Sequence, residues 1–240
     1  MKTIASTVSP LAIRANRYDL VSRIADDLAH ELKNPLHAMV INLELLRRRL
    51  HAGAGDAALD RIAAVEQETR RIDALLEQLL GLLRPARLDA RPMTADDALT
   101  AILPLLEVLA RLHHVHLDVE PLRTPVYLHI RPDRFRHAFL NLVVRAFDAA
   151  GDAGGRLRIQ VTAHDTVVCF RVAHAAVGRA AAAVGRTQSP TADAGDELDL
   201  AVAGALAAEM GGRLDVEQTG DDAGFDASLV LTLPRFGLSA

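Results

Sequence analysis

Residues 27–36 read Asp-Leu-Ala-His-Glu-Leu-Lys-Asn-Pro-Leu, which sets a histidine, a carboxylate, a lysine and an amide within about two turns of a helix. A neutral imidazole is a fair nucleophile. A neighbouring carboxylate can accept a hydrogen bond from one ring nitrogen and leave the other free to attack phosphorus. His30 and Glu31 form such a pair, and the ammonium of Lys33 can meet phosphate charge. Asn34 lies one turn beyond His30 on the same face, and His37 shares that face seven residues on. His30 sits about 200° around the helix from both Leu28 and Leu32, so it is expected to point away from the apolar seam. Pro35 cannot donate to the carbonyl of Glu31, so a kink and a freed acceptor are expected beside the histidine. The competing reading is a plain solvated histidine, one of ten in the chain.

The helix that must carry this group shows in the spacing of its apolar residues. Leu20, Ile24, Leu28, Leu32, Leu36, Met39, Leu43, Leu46 and Leu50 recur at steps of three or four. Residues 51–56 (HAGAGD) read as a turn, and the period resumes from Leu59 to Leu83. Two helices alone leave much of such long stripes in water, and pairing two hairpins into a four-helix bundle covers them. A homodimer through residues 16–83 is therefore expected.

Composition limits what else the chain can be. Its 240 residues fit one large or two smaller domains, and a hydrophobic half with only 3% aromatics implies an aliphatic core. A net charge of -4 argues against a general nucleic-acid binder. The single cysteine, Cys169, rules out an internal disulfide and a multi-cysteine zinc site; its apolar neighbours suggest a small buried residue. No apolar run approaches the ~20 residues of a membrane span, and the first residues lack the apolar core of a signal peptide. A cytoplasmic protein, with no membrane contact, is the expectation.

Beyond residues 1–15, an N-terminal segment, and the hairpin of 16–83, the stretch 84–93 reads as a linker and 94–240 as a second domain. Thr94-Ala95-Asp96-Asp97 resembles a capping box opening a helix to about His113. Short strands follow at 115–119 and 126–130, then a helix from Pro132 to Gly151, a strand pair at 156–163 and 166–173, a low-order stretch near 174–195, a helix to Met210 stopped by Gly211-Gly212, and strands at 213–218 and 227–233. This is an α+β layer, with helices on one face of a mixed sheet.

The run His30-Glu31-Leu32-Lys33-Asn34-Pro35-Leu36 resembles the phospho-acceptor box of sensor histidine kinases, and the similarity extends over about 16–233. Residues 132–149 resemble the helix bearing that family's asparagine box, and Gly211-Gly212 with the strand after it resembles the end of its catalytic domain. The resemblance implies a dimeric four-helix bundle followed by a degenerate GHKL (Bergerat-like) α/β sandwich. It also implies His30 as phospho-acceptor, Glu31 as its polarising base and Asn34 as a residue positioning water for dephosphorylation; Lys33 and His37, from their places beside the histidine, are expected contacts for a partner.

Departures from the family pattern fall on the nucleotide side. Asn141 stands at the first asparagine position, but Arg145 holds the second, where a magnesium ligand belongs, and a guanidinium repels a cation. His174 replaces the aspartate that reads adenine, Ala176 replaces a glycine, and only Gly178 remains there. In the last glycine-rich box Glu197 and Asp199 replace glycines and Asp196 adds a charge, which would repel a triphosphate. The plainer reading makes Arg145, Glu197 and Asp199 solvated surface charges. No cofactor is expected.

A phospho-acceptor without its own ATP site must take phosphate from elsewhere. The expectation is a histidine phosphotransferase of a phosphorelay, in which His30 accepts from one response-regulator receiver domain and passes to another, with magnesium on the receiver. The alternatives are a receiver phosphatase using Glu31 and Asn34, a non-catalytic scaffold, and a subunit phosphorylated in trans by an upstream histidine kinase.

Overall fold

The computed structural model describes residues 2–4, 8–51, 55–83, 89–122, 124–150, 154–175, 194–218 and 225–237; the side chain of His30 lies outside the described set. The chain forms two compact units, Val21–Pro85 and a second that joins Met1–Leu20 to Ala86–Ala240.

The first unit is a helical hairpin. Helix α1 spans Pro10–His51 and runs unbroken through Pro35. It starts six residues ahead of the expected hairpin boundary at 16, because Ser9 and Pro10 make a start signal. The Ser9 hydroxyl accepts from the amide of Ala12 at 3.2 Å, and Pro10 occupies the first helical position, where a missing N–H costs nothing. Helix α2 spans Gly55–Leu83. Arg71 reaches Glu31, and Arg61 donates to the Asn42 side chain at 3.1 Å, an order that requires antiparallel helices. Ile24, Leu28 and Leu75 are buried. Leu36, Val40, Ile41 and Leu43 on α1 and Ile62, Leu76 and Leu80 on α2 remain exposed in the single chain.

The second unit is built on a six-stranded sheet. Strands β1 (Lys2–Thr3), β3 (His116–Glu120), β5 (Arg156–Ala163), β6 (Val167–Ala175), β7 (Arg213–Gln218) and β8 (Ala227–Pro234) lie in the order β1-β7-β8-β6-β5-β3. Only β3 and β5 are parallel; the other pairs are antiparallel. Helix α5 (Pro132–Ala150) is fixed to the sheet through Phe135, Phe139 and Phe170, whose rings lie 4.9–6.0 Å apart. Helix α6 (Ala194–Glu209) packs beside α5. Its end is a Schellman turn: Gly211, at φ 74°, donates to Ala208, and Gly212 donates to Ala207. A side chain on Gly212 would collide with the carbonyl of Thr232, so the glycine pair both stops the helix and admits the next strand.

Three expectations change. The linker continues into a strand, β2 (Arg91–Thr94), paired with β4 (Tyr127–Ile130). The helix beyond Thr94 is two helices, α3 (Ala95–Thr100) and α4 (Leu103–Leu112). Thr94 does cap the first, accepting from the Asp97 amide at 3.0 Å. Pro104, which cannot donate to a preceding carbonyl, falls in the first turn of the second. Cys169 is half-buried rather than core, because Val168 and Phe170 take the inward positions of β6 and leave the thiol on the opposite face, 3.8 Å from the Thr232 hydroxyl.

Candidate functional site

The phospho-acceptor box lies near the middle of α1. Lys33, Asn34 and His37 are exposed, as residues that meet a partner must be. Glu31 is not. It is 8% exposed, and its carboxylate accepts from Arg71 Nη2 at 2.8 Å. One residue along a helix is about 100° of rotation, which turns Glu31 toward α2 while Asn34 stays on the open side. The expected bond from Glu31 to the imidazole of His30 falls outside the described residues. Arg71 escaped the sequence reading because nothing in its neighbourhood sets it apart from Arg70; only the hairpin register brings it to Glu31.

The positions matching the family's asparagine and glycine boxes lie on α5 and α6, and they enclose a polar cluster. Asn141 and Asp199 are both buried. Between them stands Asn16, from the start of α1 and within the same unit. Asn16 Nδ2 donates to Asn141 Oδ1 at 3.2 Å and to Asp199 Oδ1 at 2.6 Å. Its Oδ1 accepts from Asn141 Nδ2 at 3.1 Å and from His137 Nε2 at 2.7 Å. Two donors and two acceptor sites are the whole capacity of an amide, and all four are used. Asn141 also donates to the carbonyl of His137, one turn back. Burial, with the nearby charges of Arg17 and Arg134, lowers the His137 pKa to about 4. The ring is therefore neutral at pH 7, with its one proton on Nε2 when that atom donates to Asn16.

Asp199 thus departs from the expectation of a solvated surface charge, whereas Glu197 is exposed as that reading requires. The two substituted family positions, Arg145 and His174, are close enough to interact. Burial lowers the His174 pKa, Asp226 opposes that shift and the charge of Arg145 adds to it. His174 Nδ1 is buried without a hydrogen-bond partner among the described residues. Ala176 and Gly178 and the stretch after them lie outside the described residues, as does the side chain of Asp196. No three His, Cys, Asp or Glu side chains converge as metal ligands among the described residues.

Residues 20–87 match the model of the His Kinase A (phospho-acceptor) domain. The chain is 27% identical over 141 residues to the sensor histidine kinase ZraS of Salmonella typhimurium, covering 59% of this chain and 30% of that protein. It is 25% identical over 228 residues to ZraS of Escherichia coli, covering 92% of this chain and 48% of that one. It is also 24% identical over 213 residues to the C4-dicarboxylate transport sensor protein DctB of Rhizobium meliloti, covering 85% and 34%. The chain thus spans less than half the length of these relatives. Among solved structures, the catalytic domain of histidine kinase ThkA superposes with a TM-score of 0.50 at 15% identity, over 62% of this chain and 99% of that one, a likeness of fold. Residues 20–87 thus match a phospho-acceptor domain and the α/β domain after them has the fold of a histidine-kinase catalytic domain, so the chain resembles the core of a sensor histidine kinase.

Proposed function

We propose that this chain is a histidine phosphotransferase of a two-component phosphorelay. The observation that carries the reading is the joining of an acceptor box with exposed Lys33 and Asn34 to a domain whose Asn141 amide is already bound by Asn16 of the same chain. A magnesium nucleotide does not suit this residue set. Arg145 replaces a metal ligand, and the Asp199 carboxylate stands where the family offers glycine backbone. The receiver supplies both phosphate and magnesium. An imidazole nitrogen of His30 attacks the phosphorus of an aspartyl phosphate, the P–O bond to that aspartate breaks, and the aspartate leaves as a carboxylate. The phosphoramidate then passes the phosphoryl group to a second receiver aspartate by the reverse step. Catalysis is mostly positioning, with Lys33 and His37 as docking contacts.

The exposed apolar residues Leu36, Val40, Ile41 and Leu43 of α1 support a homodimer, because a second hairpin would cover them. No described helix is long and apolar enough to cross a membrane, which fits a protein working in the cytoplasm. A receiver phosphatase is the second reading. It is favoured by the exposure of Asn34, whose amide can orient water, beside a Glu31 already engaged by Arg71.

Incubating the chain with labelled ATP, and separately with a labelled phospho-receiver, tests the proposal. Acid-labile label on the wild type from the receiver only, and none on His30→Ala, is expected. Label from ATP alone contradicts the reading, and loss of receiver label without its appearance on the chain favours the phosphatase.

A further inference from the structure

The polar cluster at Asn16 also fixes the position of the chain's first segment. Residues 2–4 and 8–20 are held on the α/β unit at three places. Strand β1 extends the sheet edge, pairing Lys2 with Val216 and Thr3 with Asp215, and the Ile4 amide donates to the Leu214 carbonyl at 3.0 Å. The Thr3 hydroxyl donates to the Asp215 carboxylate. Helix α6 carries a glycine at position 204, where a Cβ would stand 2.9 Å from the Ile4 carbonyl oxygen, so the helix surface is relieved where this segment crosses it. Farther along, Ile13 and Leu20 are buried, with Asn16 between them.

An asparagine amide buried without partners costs several kcal/mol, and an apolar residue at position 16 would avoid that cost. The amide is tolerated because three side chains from α5 and α6 saturate it: His137, Asn141 and Asp199. Each is itself buried and would lose a hydrogen bond without Asn16. Such mutual satisfaction specifies one register of the segment and rejects others, because a shift of one residue would break all four hydrogen bonds of Asn16.

We infer that residues 2–4 and 8–20 form a built-in strap whose Asn16 is the intramolecular ligand of the α5–α6 surface, and that Asp199 is a receptor group for that ligand rather than merely a replaced glycine. The strap latches the segment preceding the phospho-acceptor hairpin onto the degenerate domain. This holds whatever the source of the phosphate on His30.

Hydrogen–deuterium exchange on the full chain, followed over residues 2–20, tests the inference. Asn16→Asp sets a second carboxyl group against Asp199 and is expected to speed exchange there by about tenfold or more. Asn16→Asp combined with Asp199→Asn restores a complementary donor and acceptor and is expected to return exchange to within about threefold of wild type. Unchanged exchange in Asn16→Asp overturns the inference. So does a double variant that exchanges as fast as, or folds no better than, Asn16→Asp. Labelling of His30 from a phospho-receiver, read on the same proteins, reports separately on the proposed function.

Discussion

Arg71 on α2 donates through Nη2 to the carboxylate of Glu31 on α1 at 2.8 Å, with the carboxylate largely buried and the guanidinium partly exposed. The pair ties the residue next to His30 to the second helix of the hairpin. It also fixes the rotation of α1 at the phospho-acceptor box, since Glu31 can keep this bond only while Asn34 faces outward.

Arg71→Ala leaves the Glu31 carboxylate buried without its cation and is expected to destabilise the hairpin by about 1–3 kcal/mol. Labelling of His30 is expected to slow as α1 loses its fixed rotation. Arg71→Lys, which keeps the charge but not the planar fork, should fall between wild type and Ala. Thermal unfolding and a labelling time course check both effects.

His137 makes stability depend on pH. Its folded-state pKa of about 4 lies below the ordinary 6.5, so the unfolded chain binds the proton first as pH falls. The stability associated with the neutral ring is complete above about pH 6.5, declines between 6.5 and 4, and changes no further below 4. The full shift corresponds to roughly 3 kcal/mol at most. Burial lowers His174 in the same direction, so the difference between proteins is the useful quantity. His137→Gln retains an N–H donor without titrating, and urea unfolding of this variant should lose less stability between pH 7 and 4 than wild type.

Asn34 separates the two readings of the box. Asn34→Ala removes an exposed amide and should leave transfer from a phospho-receiver to His30 within about threefold of wild type, because the imidazole itself attacks phosphorus. If the chain instead works by orienting water, Asn34→Ala should abolish receiver dephosphorylation, measured as inorganic phosphate released.

Val40 and Ile41 are exposed apolar residues of α1. Val40→Glu places a charge where a second hairpin would pack, and is expected to shift the mass measured by light scattering from dimer to monomer at micromolar concentration. A wild type already monomeric under those conditions contradicts the four-helix arrangement.

The acceptor box was legible because its chemistry is contiguous: one helix and seven residues. The sheet and its helices were legible for a similar reason, since alternation in 156–163 and the glycine stop at 211–212 are local signals. The polar cluster was not. Asn16 meets partners 125 and 183 residues away, and a single asparagine ahead of an apolar stripe carries no local mark of that pairing. Asp199 misled for the complementary reason, since a carboxylate in a helix reads as solvated until the amide that binds it is known. The Ser9-Pro10 start of α1 was visible in the residues, but the apolar period begins after it.

The most direct measurement of the relay follows phosphate between two receivers. One receiver is labelled on its aspartate, freed of its donor kinase and of ATP, and mixed with a second receiver and this chain. Label appearing on the second receiver with wild type, through an acid-labile intermediate on His30, and absent with His30→Ala, is expected. Transfer that proceeds equally with His30→Ala, or label that reaches His30 only when ATP is supplied, would contradict the relay.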